Sequence, residues 1–141
     1  MPYQYSDSHT SADIGLVSYG FSLREMLIDA ALGLTALMVE PEDLRDDRIV
    51  DIKVIGEDPE SLFYRWLSEI IFLKDAENFL LKKCMVKSED CPPWKISGKL
   101  FGDAIDPSRQ RLKIDIKAVT LYKLGVTRNE NVWRGEAVLD L

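Results

Sequence analysis

Val50-Asp51-Ile52-Lys53-Val54-Ile55-Gly56-Glu57-Asp58-Pro59-Glu60-Ser61-Leu62-Phe63 changes its hydrophobic rhythm partway along. Val50, Ile52 and Val54 alternate with Asp51 and Lys53, the period of two that lets a strand bury one face. After Gly56 the alternation stops. Asp58 is a favourable helix N-cap, because its carboxylate can accept from the orphan amides of a first turn. Pro59 at the first helical position sacrifices no hydrogen bond there. Leu62, Phe63, Trp66, Leu67, Ile70 and Ile71 then recur at helical spacing and form a broad apolar face. A strand that turns directly into a capped amphipathic helix predicts a layered protein containing both element types.

Upstream, Ser22 and Glu25 form a capping-box pair, and Phe21 and Met26 stand where a hydrophobic staple would close. From Ser22 to about Val39, the residues Leu23, Met26, Leu27, Ala30, Ala31, Leu34, Leu37 and Met38 make one apolar stripe. Pro41 ends it. Gly33 costs such a helix about 1 kcal/mol relative to alanine, so close packing is expected there. Both helices need a surface to cover, and strands supply it. Asp13 opens a short strand, with Ile14 and Leu16, that ends near Gly20. Phe79 to Lys87 forms another, and Trp94, Ile96, Gly98 and Leu100 alternate with Lys95, Ser97 and Lys99. A long strand is expected from about Lys113 to Arg128 and a last one from Val132 to Leu141. Asn129-Glu130-Asn131 joins them as an antiparallel hairpin. The expected architecture is α+β, with two amphipathic helices packed on one face of a mostly antiparallel β-sheet. No repeat or flexible linker interrupts residues 1–141, so a single domain is expected.

Of the 141 residues, 46% are apolar, enough to fill one core without a disulfide or structural metal. The 24 acidic and 18 basic residues give a formal charge of -6. Phosphate backbones repel such a chain, because nucleic-acid affinity rests on Lys and Arg displacing counterions. The default partner is a protein or a cation, with no stable nucleic-acid complex expected, although a local basic patch can still exist. Met1 to Thr10 has neither a basic start nor an apolar run, so no secretory signal is read there. Leu62 to Leu73 is too short, and too charged at Arg65 and Glu69, to span a bilayer. A cytoplasmic location, away from membranes, is expected. Cys84 and Cys91 fit no common zinc spacing and read as reduced, non-catalytic thiols.

Catalytic signatures are mostly absent. There is no phosphate-cradling Gly-rich loop ending in Lys-Ser/Thr and no Gly-x-Ser-x-Gly elbow. His9 is the sole histidine, which rules out multi-histidine zinc chemistry within one chain. Carboxylates remain. Asp13 opens a strand, Asp140 is penultimate, and the α-carboxylate of Leu141 adjoins it; these are hard oxygen donors of the kind Ca²⁺ or Mg²⁺ takes. Pattern alone favours the plainer reading, a strand-start residue and a solvated chain end. Asp115 and Lys117, two apart, should share a face as an exposed ion pair or as a charged contact for a partner, with Ile114, Ile116 and Ala118 on the core side. Trp66 lies on an apolar helix face and reads as core, and Trp94 and Trp133 near strand starts read the same way.

Several segments together resemble the archease family, almost end to end. His9-Thr10-Ser11-Ala12-Asp13-Ile14-Gly15 resembles the family's His-Thr-Ala-Asp-apolar-Gly opening, with one extra residue between His9 and Asp13. Gly20-Phe21-Ser22-Leu23-Arg24-Glu25 resembles its entry into the first helix, and Gly56-Glu57-Asp58-Pro59-Glu60-Ser61-Leu62 its entry into the second. Gly102-Asp103 through Asp106-Pro107 is similar to the loop before its long strand. Asp115-Ile116-Lys117-Ala118-Val119-Thr120 is similar to Glu-Val-Lys-Ala-Ile-Thr, and Asp140-Leu141 to a terminal Asp-Ile. Where the family commonly continues Thr-Tyr-His, this chain has Thr120-Leu121-Tyr122, and Gln110 stands near the place of another family histidine.

The resemblance implies a non-catalytic cofactor of RtcB-type RNA ligases, which seal tRNA halves during tRNA splicing through a guanylylated histidine, GTP and Mn²⁺. Such a cofactor promotes the guanylylation and so permits multiple turnover. The family's metal ligands would correspond to Asp13, Asp140 and Leu141, with Ca²⁺ the implied ion and Mn²⁺ or Mg²⁺ as alternatives. Lys117 is the other functional position, and Asp115 beside it joins the expected contact with partner or nucleotide. Two readings from other classes stand beside this one: a small metal-dependent phosphohydrolase built on the same carboxylates, and a general chaperone-like binding protein.

Overall fold

The computed structural model describes residues 3–6 and 13–141. In chain order, β1 (Gln4–Ser6) and β2 (Asp13–Gly20) precede α1 (Leu23–Met38), and β3 (Arg48–Gly56) precedes α2 (Pro59–Glu77). Then follow β4 (Phe79–Glu89), β5 (Trp94–Ala104), β6 (Ala118–Val119), β7 (Gly125–Asn129) and β8 (Val132–Asp140).

The two strand-to-helix junctions are built alike. Ser22 Oγ accepts from the Glu25 amide at 3.1 Å, and Asp58 Oδ1 accepts from the Ser61 amide at 2.7 Å. Ser61 Oγ completes the second box by accepting from the Asp58 amide at 3.3 Å. Each strand ends in a glycine lying directly under the following helix. A Cβ on Gly20 would stand 2.3 Å from the Met26 nitrogen, and one on Gly56 2.4 Å from that of Leu62. The staple expected between Phe21 and Met26 does not form, because Phe21 is 77% exposed while Met26 is fully buried.

All strand pairs are antiparallel, but they make two sheets where one was expected. The first runs β1-β2-β8-β6, with β7 pairing β8 beyond β6, and the second runs β3-β5-β4. Period-two alternation says that a strand has one buried face, not which strand lies beside it. Consequently α1 packs on β2 and β8 of the first sheet and on β4 of the second, while α2 also touches strands of both. The core fills the space between, with Leu16, Leu34, Phe63, Trp66, Leu100 and Leu139 fully buried. Trp66 satisfies its one polar group by donating Nε1–H to the Leu27 carbonyl at 2.7 Å. Trp94 and Trp133 are partly buried against the core.

The expected long strand from Lys113 to Arg128 is broken. Leu112 bridges to Val39, and the amides of Lys113 and Ile114 donate to the Met38 and Leu37 carbonyls at 2.8 and 3.1 Å. Those carbonyls belong to the last turn of α1, which has no helical donors left for them. The segment is therefore spent on closing a helix before it reaches the sheet as β6. A turn follows, with Lys123 at a φ of 54°. Of the three residues expected to face the core, Ile116 is buried, whereas Ile114 and Ala118 are exposed. The β7–β8 hairpin forms as expected, turning at Glu130 and Asn131. Among the described residues no helix is long and apolar enough to cross a membrane.

Candidate functional site

The two extremities of the sequence meet as neighbouring strands. β2 and β8 pair over eight consecutive positions, from Gly20 opposite Trp133 to Asp13 opposite Asp140. Directly opposed residues of an antiparallel pair project from the same face, with Cβ atoms roughly 4.5–5.5 Å apart. The carboxylates of Asp13 and Asp140 therefore share one face at the end of the sheet. On the other side of β8, β6 places Ala118 opposite Asp140, and the Lys117 amide donates to the Asp140 carbonyl at 2.8 Å. Three separated segments thus bring the backbones of Asp13, Lys117, Asp140 and Leu141 together. Asp13 and Leu141 are half-buried and Asp140 is exposed, and Oδ1 of Asp13 is shielded from solvent. His9 lies outside the described residues.

Asp115 does not pair with Lys117. Its Oδ1 accepts from Lys74 Nζ at 2.5 Å, and the same ammonium reaches the Ile116 carbonyl at 2.7 Å and Asp75 at 2.9 Å. Burial pulls the Lys74 pKa down, but the hydrogen bonds to Asp115 and Asp75 outweigh it and leave it raised. Lys74 therefore ties α2 to the segment that carries Lys117. Sequence reading passed over it, since a lysine in the last turn of a helix is ordinary. Lys117 itself is exposed and lines a cleft of about 240 Å³ with Tyr64, Ser68, Phe72 and Asp75.

A second polar knot holds the loop after β5. Asp103, 3% exposed, accepts from both terminal nitrogens of Arg109 at 2.8 and 3.1 Å. The Arg45 amide and Gln110 Nε2 add bonds at 3.0 Å each. The Arg109 guanidinium holds the Asp103 carboxyl well down, at about 2. Gln110 also donates to the Ala104 carbonyl at 2.9 Å and accepts from the Asp106 amide at 2.8 Å. Its place in this chain is structural. Cys84 is a free thiol pushed up to about 12 by burial, hence protonated, and Cys91 is free and exposed.

The donor chemistry where the ends meet suits a hard divalent cation. Two like charges directly opposed across a strand pair repel, and a cation between them would offset that repulsion. Among the described residues no cluster of three or more His, Cys, Asp or Glu side chains is gathered to hold a metal. A cation held there would need further oxygens, and Leu141 directly follows Asp140. The residues present fit the ion in kind.

Residues 3–141 match the family model described as the Archease protein family. The chain is 36% identical to the protein archease of Archaeoglobus fulgidus, over all of both chains. It is 31% identical to that of Pyrococcus furiosus, over 98% of this chain and 99% of that one. The solution structure of protein 1598 from Methanobacterium thermoautotrophicum superposes with a TM-score of 0.83 at 25% identity, covering 99% of this chain and 98% of the other. The crystal structure of a Thermotoga maritima archease, called there a possible chaperone, shares the fold with a TM-score of 0.64 at 19% identity and 96% coverage of each chain. Resemblance of motifs, match of the whole length and likeness of fold agree: the chain belongs to the archease family.

Proposed function

We propose that this protein is a non-catalytic accessory factor of an RtcB-type tRNA-splicing RNA ligase, acting in the cytoplasm to promote ligase guanylylation and multiple turnover. The observation that carries the reading is the register that sets Asp13 opposite Asp140, with the Lys117 backbone bonded to that same Asp140. Asp13, Asp140 and the Leu141 carboxylate would hold a divalent cation, Ca²⁺ first, with Mn²⁺ or Mg²⁺ as alternatives. When bound, the ion supplies positive charge for phosphate oxygens and offsets the repulsion between the paired carboxylates. Lys117, bonded to Asp140 through its backbone, offers its exposed ammonium on the neighbouring face to the nucleotide or to an acidic ligase surface, while Asp115 and Lys74 fix the backbone from which it projects. An activity of its own is disfavoured, since no general base adjoins the carboxylates among the described residues.

The test is ligation with the ligase limiting. With this protein present, each ligase molecule should seal many RNA ends, and Asp13→Asn or Lys117→Ala should return it to about one turnover. A turnover number unchanged by the protein defeats the reading. Hydrolysis of phosphoesters by the purified protein alone would favour a phosphohydrolase. Protection of unrelated proteins from aggregation would favour a chaperone-like binder, the role that the Thermotoga maritima relative's name suggests for that protein.

A further inference from the structure

The outer face of the β3-β5-β4 sheet has a charge opposite to that of the whole molecule. The inner face carries Ile52, Val54, Ile96 and Leu100 into the core. The register makes the outer face a grid of four rows across three strands. Ile49 lies beside Phe101 and Lys83, then Asp51 beside Lys99 and Met85. Lys53 lies beside Ser97 and Lys87, and Ile55 beside Lys95 and Glu89. Five lysines face two carboxylates, a local charge of +3 in a chain of -6, so the rest of the molecule carries -9. Lys99 pairs with Asp51 at 2.7 Å and Lys95 with Glu89 at 3.7 Å, and Asp46 reaches Lys83 from outside the grid at 3.2 Å. Among the described residues, Lys53 and Lys87 have no such partner. They flank Ser97 in one row.

We propose that this lysine-bearing sheet face is a binding surface for single-stranded RNA. Charge complementarity selects a polyanion, because both ends of the Lys53–Ser97–Lys87 row are exposed ammonium groups with no carboxylate among the described residues to neutralise them. Lys83 and Lys87 on β4, and Lys95 and Lys99 on β5, stand four residues apart, roughly 13 Å along each strand, so the lysines are spread over an open surface. Apolar side chains interleave with them. Met85 is 66% exposed and Ile49 59%, and the half-buried Phe101 ring on the central strand lies 5.1 Å from Lys83 Nζ. Unstacked bases take such a platform, with a ring for stacking and cations for the backbone. A duplex, whose bases are stacked inside, would use the lysines and leave the apolar positions idle. The overall negative charge weakens capture from a distance, but beyond about 10 Å it is screened at moderate salt, and the local face governs contact.

This inference goes beyond ligase activation and stands apart from it, since the Asp13–Asp140 site is on the other sheet. The test is fluorescence anisotropy of a labelled single-stranded oligouridylate titrated with the full chain over a range of salt. Binding should weaken as salt rises, and Lys53→Glu/Lys87→Glu should reduce affinity by roughly tenfold or more. Lys53→Gln/Lys87→Gln should lower the slope of log affinity against log salt by about 1.4, as expected for two lost single-strand contacts. All these side chains are exposed, so the thermal midpoint should hold and separate lost binding from lost fold. Asp13→Asn should bind RNA like the parent while failing to activate a ligase, which distinguishes the two proposals. No anisotropy change at low salt overturns the RNA surface, as does equal affinity of the glutamate variant. Tighter binding of poly-glutamate or of phosphatidylserine vesicles than of RNA also overturns it.

Discussion

Lys74 stands in the last turn of α2, 7% exposed, with oxygens of Asp75, Asp115 and Ile116 around its ammonium. Replacing it with methionine keeps the stem but leaves a carboxylate and a buried carbonyl without their donor. The expected loss is roughly 2–3 kcal/mol, read as a lower denaturant midpoint, and a midpoint unchanged within error would refute that role. Asp103 supplies a pH test. Its folded pKa of about 2 lies below the ordinary value near 4, so its contribution is complete above about pH 4. That contribution fades as pH falls toward 2. Asp103→Ala, which strands Arg109 and Gln110, should cost about 1–3 kcal/mol at neutral pH. The gap from the parent should narrow in urea melts near pH 2. An equal gap at both pH values would mean that packing, not charge, holds this loop.

At the scale of elements, each helix starts from a glycine pressed under its first turn. Gly20→Ala and Gly56→Ala put a methyl group against backbone nitrogen atoms 2.3 and 2.4 Å away, and neither backbone can yield without moving a capped turn. A destabilisation of roughly 1–3 kcal/mol each is expected from overpacking, against almost none at Gly125, where nothing lies within 4 Å. Equal melting temperatures for all three variants would count against this. These junctions were legible in the sequence, because a cap residue, a proline and a change of period are local signals. The partition into two sheets was not, since pairing is decided between segments far apart. The break at Leu112–Ile114 was hidden for a related reason. Its apolar alternation reads as a strand, yet its amides close the end of α1. Phe21 kept the position of a staple residue while its side chain turned outward. Of the candidate site, the carboxylates were visible as lone donors, but the meeting of Asp13 with Asp140 was implied only by resemblance, as no spacing rule relates a strand start to a chain end. Lys74 was not reachable at all.

Across the whole molecule, the pairing of β2 with β8 joins residues separated by almost the full sequence, so any ion at Asp13 and Asp140 would bridge the two ends of the fold. The unfolded chain cannot reproduce that arrangement, and a ligand that binds only the folded state stabilises it by mass action. At a free concentration about a hundred times its dissociation constant, Ca²⁺ should add about 2.7 kcal/mol. For a domain of this size that corresponds to a melting temperature raised by roughly 6–12 °C, reversed by chelation. Asp13→Asn and Asp140→Asn should each abolish the rise. Asp140→Asn should melt no lower than the ion-free parent, because removing one of two opposed charges relieves repulsion. Residues added after Leu141 should shrink the rise by displacing its carboxylate, whereas a tag before Met1 should leave it intact. If calcium moved the melting point of the parent and both asparagine variants alike, the ion would be bound elsewhere, and the register of the two ends would be architecture alone.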